Sequence, residues 1–299
     1  MRWIITGGGG QLGRCLAEAL GSQPAETLVA ALPRAELDVS DRDQVVRLFE
    51  RQPEAPPDVL VNAAAFNAVD RCEKETLRAE RVNGEGPGHL ADVCAKVGVR
   101  LVHVSTDYVF DGEAETPYRE DAPTAPRSAY GHSKLAGELQ VLERAPDSLV
   151  VRTSWVFGPG RNFVVAILEQ ARLRRRGEAE GPLRVVDDQR GCPTYAADLA
   201  DGILALVAAQ ASGLCHLTNE GAVSWWQFAR EILDRSGAGD LAIDAVATHT
   251  LEHPAWRPRY SVLDCTRART LGVALRPWSD ALAAYLATAQ CRAIWDLPS

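Results

Sequence analysis

The stretch Trp3-Ile4-Ile5-Thr6-Gly7-Gly8-Gly9-Gly10-Gln11-Leu12-Gly13 decides the fold. Its first four residues form a short apolar run, which reads as a buried strand. Gly7, Gly10 and Gly13 follow at GxxGxxG spacing, and 11–20 then reads as a helix with Leu12, Leu16, Ala19 and Leu20 on one side. Glycine lets the backbone turn tightly and come close to a diphosphate, and the helix N-terminus offers free N–H groups to it. A merely flexible glycine turn needs neither the strand before it nor the helix after it. The context therefore favours a dinucleotide fingerprint.

Outward from this turn the chain alternates strand-like and helix-like segments. Further strands are expected at 28–32, at 59–62 after the breaker Pro56-Pro57, at 101–105 and at 148–153. Between them, Asp41 can cap a helix carrying Val45, Val46, Leu48 and Phe49. Residues 73–97 read as helix with a break near Gly86-Pro87-Gly88, and 130–144 as another helix. This βαβ alternation implies an α/β fold, a Rossmann-type doubly wound parallel sheet. Past Gly158-Pro159-Gly160 the pattern loosens into helix 163–176, strand 183–186, a helix from Ala196, strand 214–218, helix 224–235 and a last helix near 278–289. A smaller C-terminal substrate-binding lobe is expected. The expected division is 1–158 plus about 190–220 for the dinucleotide-binding domain, and about 159–189 plus 221–299 for the lobe.

Composition excludes several function classes. The 299 residues carry a formal net charge of −8, with 46% hydrophobic and 24% charged residues. That is ordinary for a soluble globular protein and unfavourable for coating nucleic-acid phosphates. The one basic cluster, Arg172, Arg174, Arg175 and Arg176, ends an expected helix, where cations suit the dipole. No apolar run is long enough to span a bilayer and no signal peptide is evident, so no membrane partner and a cytoplasmic location are expected. The seven cysteines are scattered and form no CxxC pair, which argues against a zinc site or a disulfide framework; no metal is expected.

Tyr130 and Lys134 stand four positions apart, about one helical turn, so their side chains share a face. A free phenol titrates near pH ~10, and a neighbouring ammonium lowers that value. Such a pair can give a proton to a carbonyl oxygen while a hydride arrives at carbon. Ser105-Thr106-Asp107-Tyr108 ends the fourth expected strand, where open α/β sheets bind ligands. Alternation lets one of the two hydroxyls point into the site, and Thr106 is the choice over Ser105. Asp107 reads equally as a turn residue. The second strand ends Ala31-Leu32-Pro33-Arg34, with no acid for a ribose 2′-hydroxyl. Arg34 can instead meet a 2′-phosphate, which favours NADPH, with NADH as the second cofactor the site admits. Asp38-Val39 is placed to border an adenine, and Ala63-Ala64-Ala65 offers small side chains beneath a cofactor. Trp155 reads either as a sugar-stacking ring or as core, and Trp225-Trp226 as core. His132 points off the Tyr130/Lys134 face.

These motifs together resemble the extended short-chain dehydrogenase/reductase superfamily. Within it, Leu37-Asp38-Val39, 61–65, 68–73, 105–112, 130–138, 152–158, Asp187-Asp188-Gln189, 191–194 and Arg257-Pro258 resemble the dTDP-4-dehydrorhamnose reductase family over nearly the whole chain. The resemblance implies NADPH-dependent reduction of the C4 keto group of a dTDP-linked 4-keto-6-deoxyhexose, giving dTDP-L-rhamnose. It implies Tyr130 as proton donor, Thr106 as its partner, and Lys134 on the nicotinamide ribose, lowering the tyrosine pKa. Gly7, Gly10, Gln11, Leu12, Gly13, Arg34, Asp38, Val39, Ala63, Ala64 and Ala65 would then line the cofactor. Thr106, Asp107, Trp155 and Arg257 would touch the sugar.

The chain departs from the family pattern at three places. Cys15 stands where some relatives carry a glutamate that serves a magnesium-linked dimer contact; a homodimer without that metal is the expectation here. Asn67 replaces a small hydroxyl residue, and Tyr260 a frequent asparagine, so the exact sugar stays open. Reductases of antibiotic sugars, such as those making dihydrostreptose, share the motifs. A non-catalytic NADP-binding regulatory subunit is the alternative from another class. A dehydratase is disfavoured because Asp107-Tyr108 stands where an Asp-Glu pair is usual.

Overall fold

The computed structural model describes residues 1–50, 56–252 and 254–295. The first half supplies β1 (Arg2–Thr6), α1 (Gln11–Gly21), β2 (Thr27–Leu32), α2 (Arg42–Glu50), β3 (Val59–Asn62), α3 (Val69–Lys74), α4 (Thr76–Ala79), α5 (Gly86–Val97), β4 (Arg100–Thr106), α6 (Ala129–Arg144) and β5 (Leu149–Thr153). The second half adds the two-residue strand β6 (Val156–Phe157), α7 (Phe163–Arg175), β7 (Leu183–Val186), β8 (Arg190–Gly191), β9 (Thr194–Tyr195), α8 (Ala196–Ala208), β10 (Gly213–His216), β11 (Val223–Ser224), α9 (Trp225–Arg235), β12 (Ile243–Val246), α10 (Thr266–Thr270), α11 (Trp278–Leu286) and α12 (Ala289–Trp295). The last four positions of the expected lobe, 296–299, lie outside the described residues.

Six strands form one sheet in the order β10-β5-β4-β3-β1-β2, every neighbouring pair parallel. Side-chain alternation divides its residues between two cores. Trp3, Ile5, Val59, Val61, Val102, Leu149 and Val151 pack with Leu12 and Leu16 of α1 and Leu199 and Ile203 of α8 on one face. Ile4, Leu60, Leu101 and Val150 pack with Val45 of α2, Leu90 of α5 and Val141 of α6 on the other. Helices on both faces make the sheet doubly wound. The chain leaves β1 toward β2 and later returns to β3 on the opposite side of β1. This switch point opens a crevice at the carboxyl ends of the strands. A third core gathers Phe157, Val164, Leu168, Leu183, Phe228, Ile232 and Leu282 from segments after β5.

One stretch departs from the expected pattern. Helix begins at Val69 rather than 73, and its irregularity lies ahead of Gly86: a wide π-turn spans Glu80–Glu85, and α5 follows with Pro87 in its first turn. Proline has no N–H to donate, and a turn with i→i+5 bonds accommodates the gap. The turn buries Asn83, whose carboxamide accepts from Phe66 N at 2.8 Å and donates to Phe66 O and Ser133 Oγ, both at 3.0 Å. It thereby fastens the loop after β3 to α6.

Candidate active site

The glycine turn sits at the mouth of the switch point, and its shape forbids side chains. Gly7 has φ +72°, and a Cβ there would lie 2.6 Å from the Ala63 carbonyl carbon; at Gly13 it would lie 2.3 Å from Gly7 O. α1 begins at Gln11 with Gly10 as its cap and no side-chain cap bond, so its first N–H groups are left to a ligand. The adjoining cleft has a volume of about 690 Å³. Gly7, Gly10, Gln11, Leu12, Gly13, Arg34, Asp38, Val39, Ala63, Ala64, Ala65, Thr106, Asp107, Tyr130, Lys134 and Trp155 all line it. Burial would raise the Asp38 pKa, but bonds from Ser40 and the Arg34 guanidinium hold that carboxyl below its usual range. Arg257 is set back from the cleft wall. It pairs with Asp70 at 2.8 Å and donates to Tyr108 OH at 3.4 Å, so it reaches the cleft only through that tyrosine.

Local sequence explains how the reactive side chains meet. Thr106 ends β4, and its hydroxyl accepts from Tyr108 N at 3.2 Å, capping a 3₁₀ turn over Asp107–Val109. Ser128 caps α6 by accepting from Gly131 N at 3.1 Å, and Glu73 accepts from Ala129 N at 2.9 Å. Gly131 allows the close approach: a Cβ there would stand 2.3 Å from Tyr108 O. Tyr108 and Tyr130 then meet edge to face at 5.5 Å, and Lys134, one turn on, reaches the cleft from the same helix face.

Electrostatics revise one expectation. The resemblance implies a Tyr130 pKa lowered by Lys134. Instead, burial raises the Tyr130 pKa; the Thr106 hydroxyl opposes the rise and Asp107 adds to it. The Lys134 ammonium donates to Val104 O at 2.7 Å, and burial brings its pKa down to about 8 against the pull of Glu138. The phenol is thus held neutral, as a proton donor must be. Asp107, fully buried, is pushed up to about 6 by desolvation, against hydrogen bonds that include one from Thr106 at 2.9 Å.

The sequence reading missed Trp225. Read as core, it lies on the cleft wall, its indole stacked on Trp155 with centroids 3.6 Å apart and planes 5° off parallel. Its Nε1 donates to Gln189 Oε1 at 3.2 Å. Trp155 has φ +48°, a strained left-handed backbone for a bulky residue. Its indole occupies the space a Cβ at Gly191 would need, 2.4 Å away. The helical amphipathicity of 224–235 conceals Trp225, because the first residue of a helix faces the site beneath the helix as readily as the core. Ser105, Thr153 and Gln11 also line the cleft, and each holds a buried side-chain oxygen with no partner among the described residues. Buried polar atoms of that kind fit a ligand rich in hydroxyls and phosphates. Together with the glycine cradle and the uncapped α1, they fit a nicotinamide dinucleotide.

A doubly wound sheet with a glycine turn at its switch point, and a Thr/Tyr/Lys set on β4 and α6, defines an extended short-chain dehydrogenase/reductase. A family model described as the RmlD substrate binding domain matches residues 1–291. The chain belongs to that family. A dTDP-4-dehydrorhamnose reductase of Streptomyces griseus is 45% identical over 289 residues, covering 94% of this chain and 91% of the relative. A probable dTDP-4,6-dihydroxy-2-methyloxan-3-one 4-ketoreductase of Streptomyces antibioticus is 43% identical, covering 94% and 93%. The solved dTDP-4-dehydrorhamnose reductase of Bacillus anthracis, in complex with NADP, superposes with a TM-score of 0.86 at 34% identity, covering 95% of this chain and 98% of that one.

Proposed function

We propose that this protein uses NADPH to reduce the C4 keto group of a dTDP-linked 4-keto-6-deoxyhexose, giving dTDP-L-rhamnose from dTDP-4-dehydro-L-rhamnose. The observation that carries this reading is the convergence of Thr106, Tyr130 and Lys134 on one wall of the cleft whose other end is the glycine turn. The names of the similar proteins supply the substrate class.

In this reading Gly7, Gly10 and Gly13, with the N-terminus of α1, hold the cofactor's diphosphate, and Ala63 to Ala65 lie beneath it. Lys134 holds the nicotinamide ribose. The bound cofactor supplies a hydride to the sugar carbon. Tyr130 donates its phenolic proton to the developing alkoxide, and Thr106 turns its hydroxyl from Asp107 toward the same oxygen. Tyr130 has the protonation state for this role at neutral pH because burial disfavours its phenolate. Trp155 packs on the sugar, and Arg257 acts on it through Tyr108. Residues 1–158 with about 190–220 serve as the cofactor domain, and about 159–189 with 221–299 as the sugar lobe. The setting is the cytoplasm, the assembly a homodimer, and neither nucleic acid nor membrane is a partner.

Asn67, which also lines the cleft, favours a second reading in which the sugar is an antibiotic-pathway relative of the same class. A turnover panel of dTDP-4-keto-6-deoxysugars, each with NADPH and NADH, separates the two. The expected result is fastest turnover on the rhamnose precursor with NADPH, with product configuration read by NMR. No turnover of any keto sugar, together with copurification of a partner enzyme, would instead make the protein a regulatory subunit.

A further inference from the structure

Segments far apart in the chain meet at one carboxylate beside the cleft. Asp70 lies in the first turn of α3, next to Val69, which lines the cleft, while Asp70 itself stands behind that lining. Its Oδ1 accepts from Ala255 N at 3.2 Å, and its Oδ2 accepts from the Arg257 guanidinium at 2.8 Å. Arg257 in turn donates to Tyr108 OH at 3.4 Å, and the Tyr108 ring stands edge to face with Tyr130 at 5.5 Å. A chain of contacts thus runs from α3 through the segment after β12 to the ring that carries the proton.

Other contacts already seat that segment on the loop after β4. Tyr260 N donates to Gly112 O at 3.0 Å. Gly112 has φ +69°, and a Cβ there would lie 2.5 Å from both Trp256 and Pro258. The Arg127 guanidinium lies 4.7 Å from the centre of the Trp256 ring. Asp70 adds the aim of one side chain, because the Arg257 fork is held between a carboxylate and a phenol. The Asp70 side chain is 40% exposed, and an ion pair with so much water around one partner adds little to stability. Its value to the protein lies in orientation.

We propose that Asp70 is a positioning residue for the ketoreduction: it aims Arg257 at Tyr108 and so fixes the ring against which Tyr130 rests. The role rests on the reductase reading of the cleft and adds to it a residue that touches neither cofactor nor sugar. Without the carboxylate, Arg257 and Tyr108 loosen together. The glycine cradle at the other end of the cleft keeps its shape, so cofactor binding is spared.

The test is a double-mutant cycle in the full chain, with Asp70→Ala, Arg257→Ala and the two combined. It reads kcat/KM for dTDP-4-dehydro-L-rhamnose, NADPH affinity by fluorescence titration, and melting temperature. Asp70→Ala is expected to lower kcat/KM about tenfold, with NADPH affinity within about twofold of wild type and the melting temperature almost unmoved. Asp70→Asn keeps an acceptor for Ala255 N and gives up the charge; it is expected to lose about threefold, and it carries the same cycle should the alanine variant fold poorly. The combined variant is expected to be no slower than Arg257→Ala, since Asp70 acts through that arginine. An unchanged kcat/KM in Asp70→Ala and Asp70→Asn overturns the role, as does a combined loss equal to the product of the two single losses. A loss of NADPH affinity and melting temperature in step with kcat/KM overturns it too, by making Asp70 a prop of the fold. A wild type inactive on every keto sugar removes the reductase reading itself, and this role falls with it.

Discussion

At the scale of single residues, burial governs the site. Desolvation opposes charge on Tyr130, Lys134 and Asp107 alike, and the consequences for pH differ. Lys134 loses its proton near pH 8 rather than near its ordinary 10.5. The reductase rate is therefore expected to fall with a basic limb close to pH 8, seen in kcat/KM against pH; a flat profile through pH 9.5 contradicts a catalytic Lys134 cation. Asp107 moves the other way, from 3.8 to about 6. An acid whose folded pKa exceeds its unfolded value binds extra protons when folded, so it weakens the fold as pH rises from about 4 to about 6. At neutral pH the cost is a few kcal/mol, roughly 1.4 per pKa unit. Asp107→Asn is expected to raise the melting temperature at pH 7, to lose that advantage at pH 4, and to impair turnover. Equal melting temperatures at both pH values would contradict it. Thr106, Tyr130 and Lys134 were legible because the spacings of strand end and helical turn are fixed by covalent geometry. Their pKa values were not, since desolvation depends on everything packed around them.

At the scale of elements, α6 carries both Tyr130 and Lys134, and its seat on the π-turn decides where they point. The bond from Asn83 to Ser133 fixes that seat, and Gly137 lets it form: a Cβ there would stand 2.1 Å from Asn83 O. Gly137→Ala is expected to destabilise the protein by about 1–3 kcal/mol through overpacking. That lowers the melting temperature by several degrees and reduces kcat more than cofactor affinity. An unchanged melting temperature would show that the helix has slack the structure denies. The sequence located the irregularity near Gly86-Pro87-Gly88 because proline breaks hydrogen-bond ladders. It could not say that a widened turn upstream would absorb the break, since that choice follows from how Asn83 is held by the loop after β3 and by α6.

At the scale of the whole molecule, a pair of stacked rings stands where the end of the sheet meets the third core. Trp155 follows β5 and Trp225 opens α9; both pack beside the third core, and their stack forms part of the cleft wall. Trp225→Ala is expected to raise KM for the keto sugar severalfold while leaving cofactor affinity within about twofold, because Trp225 holds Trp155 in place and an aromatic pair contributes about 0.5–1.5 kcal/mol beyond its buried area. A KM unchanged by the substitution would reduce Trp225 to ordinary packing. The parallel sheet was readable from short apolar runs alternating with helical stripes, and the glycine turn from its spacing between strand and helix, but the strand order was not. The helix from Ala196 and the strand near 214–218 were readable as elements, and the structure packs α8 on the sheet and pairs β10 with β5. The facing of Trp225 was not, for a residue that begins a helix obeys the geometry of its cap and its neighbours rather than a stripe.

The account as a whole stands on Tyr130 as the donor of a proton in a site that binds its cofactor without needing that proton. Tyr130→Phe keeps the ring and removes only the hydroxyl. NADPH affinity is expected to stay within about threefold of wild type while turnover of the keto sugar drops by at least ~100-fold, the scale of a lost general acid. Turnover within tenfold of wild type in that variant would contradict the account.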